Sequence, residues 1–291
     1  MKMSTSKKLF GRAVVYLDVI DTIMPIALTH EYSFVSDEWF AEWRRTESPT
    51  VESVNFILTL ELIDKAHLAA VTSLMRTKRW ADATCQIYDN ANFVGWAASV
   101  RGFLESAGDT VDGLLNIPLP LAEDHRTIRR CLAGEEKNDV RYSELEGKLD
   151  HFVHARWMRT KRGEDNPLKA KDNAAYVGIL ERTVPGVLKL YHQLCAICHP
   201  SNESIKYFYD PNVGHGRRLK LAPTNDAKAI AAICTAYPAA LSDALMLSCN
   251  APLYILRVLH KFRIHPKLAA LNKLDWKAIK MGAEIERHLK N

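Results

Sequence analysis

Apolar and polar positions alternate along this chain at helical intervals. From Val51 to Lys78, the residues Val54, Ile57, Leu58, Leu62, Leu68, Val71 and Met75 recur mostly at three- and four-residue steps, which keeps them on one helix face. Ser48-Pro49-Thr50 ahead of them supplies a loop and an N-cap, and Glu52 an acidic residue for the positive end of the helix. A second long helix is predicted from Trp80 to Leu115, with Ala83, Ile87, Ala91, Val94, Ala98, Leu104 and Ala107 as a stripe of mostly small residues that admits a close neighbour. Pro118 and Pro120 end it, because a proline disfavours helical geometry in the residue before it. Further helices are predicted over 121–132, 142–158 and 173–199, the last bent at Pro185-Gly186 and stopped by Pro200. Helices resume from Asp226 to the end, with breaks near Pro238, Pro252 and Pro266.

The predicted fold is all-α: a multi-helix bundle with long central helices and an irregular loop at 201–224, where Pro211, Gly214, Gly216 and Pro223 interrupt the pattern. Within that loop, 205–209 and 218–221 are candidates for short strands. One domain is expected over 1–291, with N-terminal helices at 1–80, a central bundle at 81–200 and C-terminal helices at 225–291.

Composition adds constraints rather than a function. Apolar residues at 47% and charged residues at 25% are ordinary for a globular chain, and no segment has the makeup of a disordered region. The net charge of +5, from 39 Lys and Arg against 34 Asp and Glu, is spread along the chain, so a nucleic-acid partner is permitted but not indicated. The most apolar stretch, 229–256, has the length of a membrane span, yet Asp243, Ser242, Ser248, Asn250, Pro238 and Pro252 favour buried core helices, and no membrane association is expected. Polar, basic residues at 1–8 followed by Asp18 and Asp21 lack the apolar core of a signal peptide, which points to the cytoplasm. Six cysteines, at 85, 131, 195, 198, 234 and 249, are too sparse for a secreted disulfide framework and read as buried thiols.

Two segments carry candidate chemistry. In Arg101-Gly-Phe-Leu-Glu105, opposite charges one helical turn apart sit among Val100, Phe103, Leu104 and Ala107. Charges in such surroundings must be paired or solvated, so the pair is either a structural tie between helices or part of a pocket in which Arg101 holds an anion and Glu105 positions it or moves protons. In His192-Gln-Leu-Cys195-Ala-Ile-Cys198-His199, the Cys-x-x-Cys-His spacing is that of covalent haem attachment, and a helix would also put His192, Cys195 and Cys198 or His199 on one face for zinc. No second half-site exists and no export signal is present, so neither a metal nor any other cofactor is assigned. His199 is expected at a helix C-terminus, where the dipole favours an imidazolium able to meet a carboxylate or phosphate, or where it merely caps carbonyls. Tyr191 lies two turns earlier on a similar side. Basic runs at 156–171, including Arg159, Lys161, Arg162, Lys169 and Lys171, and at 257–267, including Arg257, His260, Lys261, Arg263 and His265, suit phosphate contact, with Trp157 or Phe262 able to stack a base.

Arg101-Gly-Phe-Leu-Glu105-Ser-Ala and Tyr191-His-Gln-Leu-Cys195-Ala-Ile-Cys198-His199-Pro200-Ser201 together resemble the signature of a family of bacterial all-helical proteins. That family is itself similar to the HEPN nucleotide-binding and ribonuclease bundles. The resemblance covers roughly 90–201 and points to Arg101, Glu105, Tyr191, Leu194 and His199-Pro200 without assigning a reaction to them. The ribonuclease branch of HEPN proteins uses an Arg followed after four to six residues by a His. No such pair occurs here; Arg257 and His265 have seven residues between them. Three readings follow. The leading one is an interaction or regulatory protein, HEPN-like and connected with stress or defence, that meets a protein partner or a second copy of itself. The alternatives are a nucleic-acid-acting enzyme or nucleotide binder using Arg101, Glu105 and His199, and a metal protein using Cys195, Cys198 and His199. Whether the chain is an enzyme is left open.

Overall fold

The computed structural model describes residues 4–155, 166, 168–210, 220, 221 and 225–290. In chain order its α-helices are α1 (Thr5–Phe10), α2 (Val14–Ala27), α3 (Asp37–Thr46), α4 (Val51–Asp89), α5 (Phe93–Leu114), α6 (Pro118–Glu123), α7 (His125–Leu132), α8 (Ser143–His154), α9 (Asn173–Leu180), α10 (Val187–Cys198), α11 (Asn202–Lys206), α12 (Asp226–Ala236), α13 (Ala240–Leu259) and α14 (Lys280–His288). The all-α expectation holds. Extended structure among the described residues is one two-residue ladder, Tyr209 opposite Leu221 and Asp210 opposite Lys220, antiparallel, touching both segments proposed for strands. Residues 211–219 and 222–224 of the expected loop, with Pro211, Gly214, Gly216 and Pro223, lie outside the described residues. So do Trp157, Met158, Arg159, Lys161 and Arg162 of the first basic run.

Several boundaries differ from the periodicity reading, for local reasons. Helix α4 runs unbroken for 39 residues, through Lys78 and Trp80, because no glycine or proline intervenes. The break comes at Asn90-Ala91-Asn92, where Ala91 takes φ 46° and the Asn92 side chain accepts the Gly95 amide at 2.8 Å, capping α5. Pro185-Gly186 separates α9 from α10, with Gly186 at φ 86° in the left-handed region that glycine occupies freely. Pro252, expected to break a helix, sits inside α13 instead. Pro238 does mark a break, and α12 and α13 bend by 67° across it. Among the described residues no single helix is long and apolar enough to cross a membrane.

The buried face of α4 also differs from the expected stripe. Leu62, Ile63, Ala66, Ala69, Ala70 and Leu74 are buried together with Asn55, Thr59, Ser73 and Thr77, while Val54, Ile57 and Leu58 are only half-buried. Polar residues on the core face hide the apolar period. Asn55 shows how they are accommodated: its amide nitrogen donates to the Glu136 and Asn138 carbonyls at 3.1 and 2.8 Å, and its oxygen accepts the Val140 amide at 3.2 Å.

The chain divides into two compact units that cut across the grouping expected from sequence order. The first comprises Met1–Leu17, Arg76–Asp109 and Asp172–Ser248; the second, Asp18–Met75, Thr110–Lys171 and Cys249–Asn291. In the first unit, Phe10 meets Phe103 edge-to-face at 5.6 Å, and Trp96 is fully buried. Two glycines of α5 bring neighbours close: the Trp80 ring lies on Gly102, and the Tyr176 backbone lies on Gly108. In the second unit, Gly282 of α14 has no room for a Cβ beneath the Trp276 carbonyl and the Tyr254 hydroxyl.

Candidate functional site

Burial of Trp96, Val100 and Leu104 fixes the roll of α5 and leaves Arg101 and Glu105 together on its flank, one turn apart. Helix α10 buries Val187, Leu190 and Leu194, and with them Tyr191. Its first turn is held by Glu181, whose carboxylate accepts the Gly186 and Leu188 amides at 2.8 and 2.7 Å; those bonds keep the Glu181 carboxyl below its usual range. At its far end, His199 is the C-cap, its amide donating to the Cys195 carbonyl at 2.9 Å. Pro200 follows, and Ser201 donates to the Ala196 carbonyl at 2.7 Å while opening a capping box for α11. His199 is therefore pinned between two helix termini.

The four candidates form one hydrogen-bonded chain in the first unit. Glu105 Oε1 accepts from Arg101 Nε at 2.9 Å and from the Tyr191 hydroxyl at 2.8 Å, and Arg101 Nη1 donates to His199 Nε2 at 2.9 Å. A guanidinium has no acceptor, so that last contact requires the neutral His199 ring with its proton on Nδ1. Burial works against the Arg101 charge, but the Glu105 hydrogen bond and Coulomb attraction outweigh it and raise the pKa. Burial also pushes the Tyr191 hydroxyl up, aided by Glu105, so it remains a donor. The cluster lies at the surface: Arg101 and Glu105 side chains are 24% and 19% exposed, and His199 is exposed. It is a polar edge rather than an enclosed cavity.

The cysteine motif is not gathered for a metal. Among the described residues, the grouping of His, Cys, Asp and Glu whose ligand atoms lie close enough to hold an ion is His30, Asp64 and His265, and it contains none of Cys195, Cys198 and His199. Burial raises the Cys198 thiol, which disfavours the thiolate a metal needs, and His192 is exposed. The second basic run is only partly free, with Lys261, Arg263 and Lys267 exposed. Arg257 is paired with Glu286, Phe262 is 9% exposed and so cannot stack a base, and His265 is bound to Asp64.

The sequence reading missed a second constellation, in the second unit. Asp64 and His67 sit one turn apart on α4; His30 follows α2, and His265 follows the turn at Arg263, where φ is 61°. His265 Nε2 lies 2.9 Å and His30 Nε2 3.4 Å from Asp64 Oδ1. The His67 and His265 rings stack at 4.1 Å, parallel within 1°, and the Tyr32 hydroxyl and His67 Nδ1 share a hydrogen bond of 2.6 Å. The available signal was Asp64-Lys-Ala-His67, a carboxylate and an imidazole at one-turn spacing on one helix. No family profile, curated protein or solved structure matches this chain.

Proposed function

We propose that the protein binds a phosphate-bearing ligand, a nucleotide or single-stranded RNA, at the Arg101–His199 edge of its first unit. The observation that carries this reading is the 2.9 Å contact joining two motif segments 98 positions apart. It leaves Arg101 Nη2 with no hydrogen-bonding partner among the described residues, beside an exposed imidazole. Glu105 and Tyr191 hold the guanidinium plane in place, so little side-chain freedom is lost when an anion arrives. The Arg and His that a HEPN ribonuclease draws from one short motif meet here from two helices, and on that parallel rests a HEPN-like role in stress or defence.

Fluorescence anisotropy with a labelled RNA oligonucleotide tests the reading. Arg101→Gln is expected to weaken salt-sensitive binding roughly ten- to a hundredfold, the worth of one charged hydrogen bond of about 1.5–3 kcal/mol. Equal affinity in Arg101→Gln, or no salt-sensitive binding by the wild type, would sink it. Cleavage lost in His199→Ala with binding retained would make His199 the proton carrier; no cleavage by the wild type leaves a binding protein.

A second reading, an interaction protein without chemistry, has its own observation in the second unit. Helix α3 buries none of its residues; Trp39 is half exposed and stacks on Trp43 at 5.7 Å. Phe40 and Arg44 of α3 line a cleft of about 710 Å³ with Val54, Leu58, Arg141 and Glu146. Tryptophan and arginine are enriched where proteins meet. If this face pairs two copies, a Trp39→Ser/Trp43→Ser variant should sediment at half the wild-type mass, and equal masses would remove self-association.

A further inference from the structure

The structure assigns a divalent metal site, with zinc as the preferred ion, to His30, Asp64 and His265 in the second unit. The argument begins with geometry. One ligand atom from each residue lies within 4.8 Å of the other two, and Asp64 Oδ1 stands 2.9 and 3.4 Å from the two Nε2 atoms. A tetrahedral ion with bonds of about 2.0–2.2 Å holds its donors about 3.3–3.5 Å apart. The 3.4 Å spacing already matches that arrangement, and the 2.9 Å spacing is a few tenths of an ångström short of it. Two imidazoles and a carboxylate are a donor set of hydrolytic zinc enzymes, and three protein ligands leave a fourth position for water.

Satisfaction of polar groups points the same way. His67 is 1% exposed and the His265 side chain 3%. His30 Nε2, one of the three donors, is buried without a hydrogen-bonding partner among the described residues. Buried nitrogens in that state are rare and call for a water or an ion. The charge balance agrees: Asp64 is 5% exposed, and no Lys or Arg among the described residues comes within ion-pair distance of it; its contacts are imidazoles. His67 lies outside the ligand set. Stacked on His265 and bonded to Tyr32, it sets the orientation of the ligating ring. The His30 side chain, 16% exposed, is the one that opens toward solvent.

The test uses the full chain, stripped with chelator and titrated with zinc chloride against a competing dye. One ion per chain is expected, with affinity reduced on the order of 100-fold or more in Asp64→Asn and in His30→Gln, the least buried ligand. A Cys195→Ala/Cys198→Ala variant should bind like the wild type. Cobalt(II) supplies a readout independent of any variant: tetrahedral visible bands without a sulfur-to-cobalt charge-transfer band. No stoichiometric binding, binding unaltered by both ligand substitutions, binding lost in the cysteine variant, or a thiolate band would each overturn the assignment.

Discussion

Acidifying the metal-free protein from pH 7 to pH 4 is expected to remove about 3 kcal/mol of stability through one imidazole, and His67→Gln should be largely spared that loss. The cause is the site of His67, 1% exposed beside the His30, Tyr32 and His265 rings. Burial, then repulsion from His265 and His30, holds its pKa down to about 3 against an ordinary 6.5. The unfolded chain accepts the proton near pH 6.5 and the folded chain refuses it until about 3, so protons favour unfolding between those values. The contribution is complete above the unfolded value and falls by about 1.4 kcal/mol per pH unit below it. His265, also lowered, adds in the same direction, whereas the Tyr32 hydroxyl, raised to about 12, stays protonated throughout. Urea midpoints at pH 7, 5.5 and 4, with chelator present, measure the difference. Equal acid sensitivity in wild type and His67→Gln would mean that the ring reaches water in the folded state.

Arg257→Met is expected to cost about 3–5 kcal/mol, while Arg257→Met/Glu286→Leu should cost far less. The two side chains are 17% and 11% exposed and bonded through Arg257 Nε to Glu286 Oε1 at 2.7 Å, with the guanidinium 5.7 Å from the Trp276 ring centre. Removing one partner strands the other charge; removing both strands none. Burial opposes ionisation of Glu286, but the Arg257 hydrogen bonds win and lower its pKa. The pair therefore stabilises the fold above the ordinary carboxylate range, and that contribution disappears as pH falls through the depressed folded value. Chemical denaturation of the three proteins at pH 7 decides the matter: a double variant as unstable as Arg257→Met would show that packing, not charge, holds this contact.

The helical class was legible because the apolar positions recur at three and four residues nearly throughout. Boundaries were legible only where glycine or proline marked them, as at Pro185-Gly186. Asn90-Ala91-Asn92 carries no such mark, since a left-handed alanine is a tertiary choice, and Pro252 shows that a proline in a well-packed helix need not end it. Asn55, Thr59, Ser73 and Thr77 disguised the buried face of α4; Asn55 and Ser73 are hydrogen-bonded inside, while the Thr59 and Thr77 hydroxyls have no partner among the described residues. Arg101, Glu105, Tyr191 and His199 were found because each pair shares a short segment, and the structure then joins the segments. The histidine cluster was not, because its members come from three stretches; His265 and Asp64 are 201 positions apart, and His265 looked like one more basic residue in a run.

The discontinuous makeup of the two units constrains how the protein can be made. A ribosome delivers Asp18–Met75 well before Cys249–Asn291, the stretch that completes that unit. Throughout synthesis the core face of α4, with Leu62, Ala66, Ala70 and Leu74, has no finished partner to cover it. Chaperone holding of the nascent chain, and rapid proteolysis of any product released before residue 249, are the natural outcomes of this wiring.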